Sequence, residues 1–388
     1  MREFDSTEFM SDFQALIECE SFSHDPESLA RSARLISRIG TGLLGAAPHV
    51  IETDGHPHLL WRFGSGEREV VLIGHHDTVW PTGTLKSFPF SAADGVVRGP
   101  GADDMKGGLL IAIYALAKVR AELGSLDGVS LLITADEELG SPGSRQIIED
   151  EARDAKAALV FESGASDGAV KIARKGVAIY QLEVTGLASH AGVEPEKGIN
   201  ATIEVANQVI DIAALHKPSV GTSVVPTVMT SGSTTNTVPA NAVVGIDSRA
   251  ASATEQVRID EDLRALTPTV AGAKSELKGG INRAPLEEDM AMGLYARAQR
   301  LAGRLGHPPL RSIAVGGGSD GNFTAGVGTP TLDGLGTVGG GKGPIKIDAD
   351  RLDVFDKENK AIFAGNVVAV QGESTIRCSA MTVHYKRD

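Results

Sequence analysis

Cysteine is nearly missing from this chain of 388 residues: only Cys19 and Cys378 occur, far apart. That leaves no disulfide framework and suits a reducing compartment. Positive charge is also short, with 37 Lys and Arg against 50 Asp and Glu and a formal net charge of -13. Electrostatic attraction to nucleic acid or to an anionic membrane is therefore disfavoured, and a small anionic substrate would depend on local positive groups. No apolar run reaches the length of a membrane span, and the opening MREFDSTEFMSDF has neither the basic nor the apolar stretch of a secretory signal. These absences point to a cytoplasmic protein without nucleic-acid partner or membrane span.

What is present is ordinary globular composition, 41% hydrophobic, over a length that predicts two domains or more. The organising stretch is Val70 to Gly108. It begins with an apolar run, VVLIGHHDTVWP, of strand length ending in His75-His76-Asp77. Strand residues two apart share a side, so His75 and Asp77 project together from a strand end. Asp103 and Asp104 then stand just ahead of a helix whose apolar spacing runs from Leu109 to Val119, with a glycine pair at its mouth. A further apolar strand, Val129 to Thr134, ends in Ala135-Asp136-Glu137-Glu138, and another, Ala157 to Phe161, ends in Glu162. Carboxylates gathered this closely repel unless a cation or a proton neutralises them, so the pattern predicts a divalent metal site at the sheet's carboxyl edge.

These motifs resemble the M20 metallopeptidases, which include glutamate carboxypeptidase, aminoacylase and the ArgE/DapE deacylases, over about residues 5–341. The resemblance implies roles residue by residue. His75, Asp104, Glu138 and Glu162 are metal ligands, with Asp104 bridging two ions. Asp77 orients His75, Glu137 is the general base, and a cis peptide follows Asp104. One or two zinc ions per chain are expected, with cobalt or manganese as substitutes. His190, in Ser189-His190-Ala191-Gly192, polarises the scissile carbonyl, often across a dimer. Asn236 and Arg249 hold the substrate carboxylate, a task for which the planar Arg fork is suited. Gly317 and Ser319 complete the substrate-binding set.

Taken in order, Ser6 to Glu18 and Pro26 to Leu44 show helical spacing, the second with Asp25 as cap and Pro26 at the first helical position. Strands and helices alternate up to about Lys175, predicting an α/β unit with a sheet covered on both faces. From Val177 the order becomes strand, helix, two strands (Val224 to Thr230, Ala242 to Ala250), helix and strand (Ala271 to Lys278), the β-α-β-β-α-β sequence of a ferredoxin-like unit. Leu286 to Leu305 then reads as a helix, and Gly316 to Phe323 as a glycine-rich turn into another. The expected fold class is α/β: a zinc-peptidase-like three-layer catalytic domain (1–176 and 286–341) with an inserted lid or dimerisation domain (177–285). Two nucleotide-binding look-alikes between Gly334 and Gly343 open no helix, so the dipole that would hold phosphate is missing.

The resemblance stops at Gly341. Relatives follow this stretch with a histidine that completes the second zinc position, whereas here the chain continues Lys342-Gly343-Pro344-Ile345. The tail, 342–388, alternates in three segments that predict short antiparallel strands, and it resembles the start of the LptA/OstA family. His384 is the one histidine beyond that point, some forty residues late. The expected function is zinc-dependent hydrolysis of an amide bond next to a free carboxylate, by a carboxypeptidase or an N-acylamino acid deacylase, reduced by the missing histidine. The partners are a small carboxylate-bearing substrate and a second copy of the chain, met through the lid. The alternative is a non-catalytic binding protein of the same fold, or a fusion product with a lipopolysaccharide-transport-like tail.

Overall fold

Asp25 starts the second helix as its sequence predicts. Its carboxylate accepts from the backbone N–H groups of Glu27 and Ser28, Pro26 takes the first helical turn, and Gly45 ends the helix at φ 71°. The computed structural model of the chain describes residues 4–339, 346–348, 351–355, 360–371 and 374–384. Helices Ser6–Glu18 and Pro26–Leu44 have the predicted bounds.

The six-stranded sheet is centred on Val70–His75, which lies parallel to Val129–Thr134 on one side and Ala157–Val160 on the other. Thr331–Leu332 extends it in parallel beyond Ala157–Val160, while His56–Arg62 and His49–Thr53 close the opposite edge antiparallel. Strand alternation sends Leu72, Leu131 and Ile133 into a core with Phe13, Ile36 and Ile113. It sends Val71, Ile73 and Leu132 the other way, against Ile148, Ala158 and Phe323. Helices thus cover both faces, and full burial of side chains this size contributes about 1.5–3 kcal/mol each, which explains strands that read as unbroken apolar runs.

Parallel register decides where the chemistry emerges. His75 lies opposite Thr134 and Ile73 opposite Val160, so Ala135 to Glu138 and Phe161 to Glu162 leave the sheet beside His75 at one edge. The Asp104–Met105 peptide bond is cis, as the resemblance implies. Two glycines permit the close approach: a Cβ on Gly108, in helix Gly107–Leu123, would fall on the Phe161 carbonyl oxygen, and one on Gly336 would meet the same oxygen.

Between Gly176 and Arg283 the chain builds a second, four-stranded antiparallel sheet, in the order Ser223–Ser231, Asn241–Ala250, Gly176–Thr185, Lys274–Arg283. Helices Ala201–Ala214 and Ala253–Arg264 bury one face, with Leu182, Val244 and Ile246 against Val205, Ile212 and Ile259. The last strand departs from expectation: it ends at Arg283, not Lys278. Gly279 and Gly280 sit inside it, with Gly279 at φ 85° and an irregular register between Ile281 and Arg283.

In the tail, 346–348 and 351–355 pair with one side of 360–371, and 374–384 pairs with the other, all antiparallel. Four strands therefore replace the three predicted segments, and the last two in the chain, the central 360–371 and the neighbouring 374–384, are 12 and 11 residues long. Residues 340–345, the place of the missing histidine, lie outside the described residues. Among the described residues, no helix is long and apolar enough to cross a membrane.

Two glycine substitutions test this packing. Gly108→Ala must push on backbone and should lower the unfolding free energy by about 1–3 kcal/mol or more. Gly42→Ala, in an exposed helical position with nothing within 4 Å of the new Cβ, should raise it by about 0.5–1 kcal/mol. Urea melts of both variants check this, and equal small changes would contradict it.

Candidate metal centre

His75, 1% exposed, is held at both ring nitrogens. Nδ1 lies 3.0 Å from the Asp77 carbonyl oxygen and 3.3 Å from Asp77 Oδ1, while Nε2 lies 3.2 Å from Asp104 Oδ1 and 3.4 Å from Glu162 Oε1. One side of the ring is thus oriented by Asp77 and the other faces carboxylates, the arrangement of an imidazole ligand with its supporting acceptor. His76, one residue on, points to the other face, between Ser32 Oγ and the Pro57 carbonyl, and burial pushes it down to about 4.

Ligand atoms of His75, Asp104 and Glu138 all lie within 4.8 Å of one another, as do those of His75, Glu137 and Glu162. A single imidazole with several carboxylates is a donor set that fits zinc, cobalt or manganese. The charge balance supports the same fit. Burial, then repulsion from Asp104, pushes Glu138 up to about 9. Burial works against charge on His75, but its hydrogen bonds to Asp104, Asp77 and Glu162 outweigh that and raise it well above the ordinary imidazole value. Burial would likewise raise Asp77, yet hydrogen bonds from His75 and Ser23 hold it below the usual carboxylate range. Asp77 also accepts from the backbone N–H groups of Glu137 and Glu138, both at 3.2 Å, so one carboxylate orients the imidazole and the glutamate loop together.

Sequence reasoning missed Arg283, which is 5% exposed at the end of its strand. Nη1 donates to Glu137 Oε1 at 2.6 Å and Nη2 to Ser141 Oγ at 2.9 Å, with the guanidinium 5.0 Å above the Phe323 ring. Asp320 lies beside it and accepts from Thr134 Oγ1 at 2.8 Å; burial and the charge of Glu137 push it up to about 7. The strand was expected to end before Arg283, so no local signal aimed that side chain at residue 137.

Other expected residues fall elsewhere. Ser319 is fully buried and donates to Asp333 Oδ2 at 2.6 Å, and Gly317 offers its carbonyl to Arg174 Nη1 at 3.1 Å. Both take part in an internal Arg174–Asp333 network. Arg249 already forks onto Asp247, with Nε to Oδ1 at 2.9 Å and Nη2 to Oδ2 at 2.8 Å. A substrate carboxylate would have to displace that partner. His190 pairs with Thr237 in a short ribbon, and Asn236 accepts from the Ala191 N–H at 2.9 Å, so the structure brings these two together. Among the described residues, neither shares a hydrogen bond or ion pair with the His75 cluster.

The model of peptidase family M20/M25/M40 matches residues 71–354, and that of the LptA/(LptD N-terminal domain) LPS transport protein matches 346–388. Carboxypeptidase G2 of Pseudomonas sp. (strain RS-16) is 31% identical over 295 residues, 72% of this chain and 68% of that protein. The acetylornithine deacetylase of Pasteurella multocida is 32% identical over 203 residues, 50% of this chain and 52% of that protein. A succinyl-diaminopimelate desuccinylase of Rickettsia felis is 31% identical, and the chain spans 43% of its length. Among solved structures, aminopeptidase PepT of Bacillus cereus superposes with a TM-score of 0.66 at 22% identity, covering 87% of this chain and 91% of that one. An M20 family metallo-carboxypeptidase of Sulfolobus solfataricus gives 0.64 at 15%, covering 86% and 92%. These superpositions establish the fold.

The protonation states generate a test. With Glu138 pushed up to about 9, its carboxyl keeps a proton at pH 7, and a ligand must shed its proton to bind. Zinc binding at pH 7 should therefore release protons, Glu138's among them, read by calorimetry in buffers of different ionisation enthalpy; no release would contradict the assignment. Without metal, Glu138 has a folded value near 9 against an ordinary 4.5. Its contribution to stability is full below about 4.5 and is lost as pH rises toward 9, the reverse of a salt-bridged carboxylate.

Proposed function

The chain belongs to peptidase family M20/M25/M40, and on that premise we propose that it hydrolyses an amide bond next to a free carboxylate, in an N-acylamino acid or a short peptide. The observation that carries this reading is the convergence of His75, Asp104, Glu138 and Glu162 with Glu137 at one sheet edge. His75, Asp104, Glu138 and Glu162 would hold a divalent ion such as zinc, which when bound would lower the pKa of a water toward about 7 and polarise the substrate carbonyl.

The protein residues do the rest. Asp77 keeps the His75 ring aimed at the cluster. Glu137 takes the proton of the attacking water and delivers it to the leaving amine. Of the two Glu137 carboxylate oxygens Arg283 engages Oε1, which leaves the second for the water. His190 serves the oxyanion from the lid of a second copy, and Asn236 and Arg249 hold the substrate carboxylate, Arg249 by exchanging Asp247 for it. The exposed apolar residues of the lid, Ile179, Val228 and Met229 on the sheet and Ile203 and Ile210 on the first helix, support a homodimer through this unit.

Activity should be low for a member of this family. His75, Asp104 and Glu162 form one set of three protein ligands, the number of a catalytic zinc with an open position. The other position keeps Asp104 and Glu138 but lacks its imidazole, because Lys342 to Ile345 stand where relatives place it. Two observations, that absence and the transport-protein match at 346–388, favour a second reading: a non-catalytic binding protein carrying a lipopolysaccharide-transport-like segment.

Glu137→Gln separates them. Zinc-loaded wild type should hydrolyse members of a panel of N-acylamino acids and dipeptides, and the variant should keep its zinc while kcat falls about a hundred- to ten-thousand-fold. Joint loss of zinc and activity would make Glu137 a ligand. No hydrolysis across the panel by wild type would favour the binding-protein reading.

A further inference from the structure

The carboxylate of Asp77 is held by four donors, and one of them lies far from the cluster in sequence. Oδ1 accepts from Glu137 N at 3.2 Å and faces His75 Nδ1 at 3.3 Å, while Oδ2 accepts from Glu138 N at 3.2 Å. The shortest contact is Ser23 Oγ to Oδ2, at 2.8 Å. Ser23 Oγ also lies 3.1 Å from the Thr78 carbonyl oxygen, but that oxygen already accepts from Ser23 N, and a hydroxyl has one proton to give. The charged and closer acceptor, Asp77, receives it.

Ser23 itself is fixed on every polar atom. Its N–H donates to Thr78 O at 3.1 Å, its carbonyl accepts from His56 Nε2 at 3.0 Å, and it is 2% exposed. The connection between the first two helices is stitched to the loop after Asp77 at further points. Thr78 N donates to Ser21 O at 2.8 Å, Glu20 accepts from the N–H groups of Gly83 and Leu85, and Asp25 accepts from Thr82 Oγ1 at 2.6 Å. On its other side, Lys106, two residues past Asp104, donates to the carbonyls of Leu16 and Cys19 at 3.0 and 2.9 Å. The same short connection therefore grips both loops that carry the ends of the cluster.

We propose that Ser23 is a positioning residue of the metal centre: its hydroxyl locks the Asp77 carboxylate in the one orientation that serves His75 and the backbone of Glu137 and Glu138 together. This rests on the reading of His75 as a metal ligand with Asp77 as its support. Ser23 touches neither metal nor substrate. Its loss frees Asp77 to rotate, which loosens the imidazole and the glutamate loop at the same time.

The test is zinc affinity of the full chain, by competition with a chromophoric chelator, together with the visible absorption of the cobalt(II)-loaded protein. Ser23→Ala should weaken zinc about tenfold, the lower end of the ten- to hundred-fold cost of losing such support, and should alter the cobalt bands. Ser23→Thr keeps the hydroxyl and should bring affinity back to within about threefold of wild type. Tight zinc binding by wild type with equal affinity and an unchanged cobalt spectrum in Ser23→Ala overturns the proposal, even if that variant unfolds more readily without metal. Weak binding by wild type overturns the metal reading itself and the proposal with it.

Discussion

Mutual repulsion of carboxylates around one buried imidazole is the constraint on which the rest of this structure depends. Two like charges about 4 Å apart repel by roughly 4 kcal/mol at an effective dielectric near 20, so a cluster of Asp77, Asp104, Glu138 and Glu162 needs a cation or protons. In the metal-free chain protons meet that need, which is why Glu138 is pushed up to about 9 and His75 is raised too. The fold works against the repulsion from several directions. Parallel register places three strand ends side by side, glycines 108 and 336 bring backbone onto the Phe161 carbonyl, and buried Asp77 ties the imidazole to the glutamate loop.

Much of this was legible in the sequence, because its carriers are local. A six-residue apolar run ending in His75 or in Thr134 declares a buried strand and what hangs from its end. Asp25-Pro26 declares a helix start, and the order of elements from Val177 to Lys278 declares the second sheet. What stayed hidden depends on pairs distant in the chain. Arg283 reaches Glu137 across 146 positions and Ser23 reaches Asp77 across 54, and no periodicity encodes either. The strand expected to end at Lys278 runs on to Arg283 through Gly279-Gly280, because glycine is found at strand ends and strand irregularities alike and here sits beside an irregularity. Arg249 and Ser319 show the reverse limit, since residue type foretold their capacity to bind a carboxylate or a ligand but not the Asp247 and Asp333 partners that occupy them.

The tail sharpens the functional question. Family similarity runs to residue 354 and overlaps the start of the transport-protein match at 346, so the two kinds of sequence meet within 346–354. The first ligand set needs nothing from this region. The second, on the proposed reading, calls for a histidine, and the chain has none between His307 and His384.

The central claim is that one metal position is complete and the other is not. Zinc content of the full chain after exhaustive dialysis measures this directly. The account predicts one tightly held ion per chain, with a second bound weakly and lost. Two zinc ions retained per chain would contradict it and would mean that another residue supplies the missing ligand.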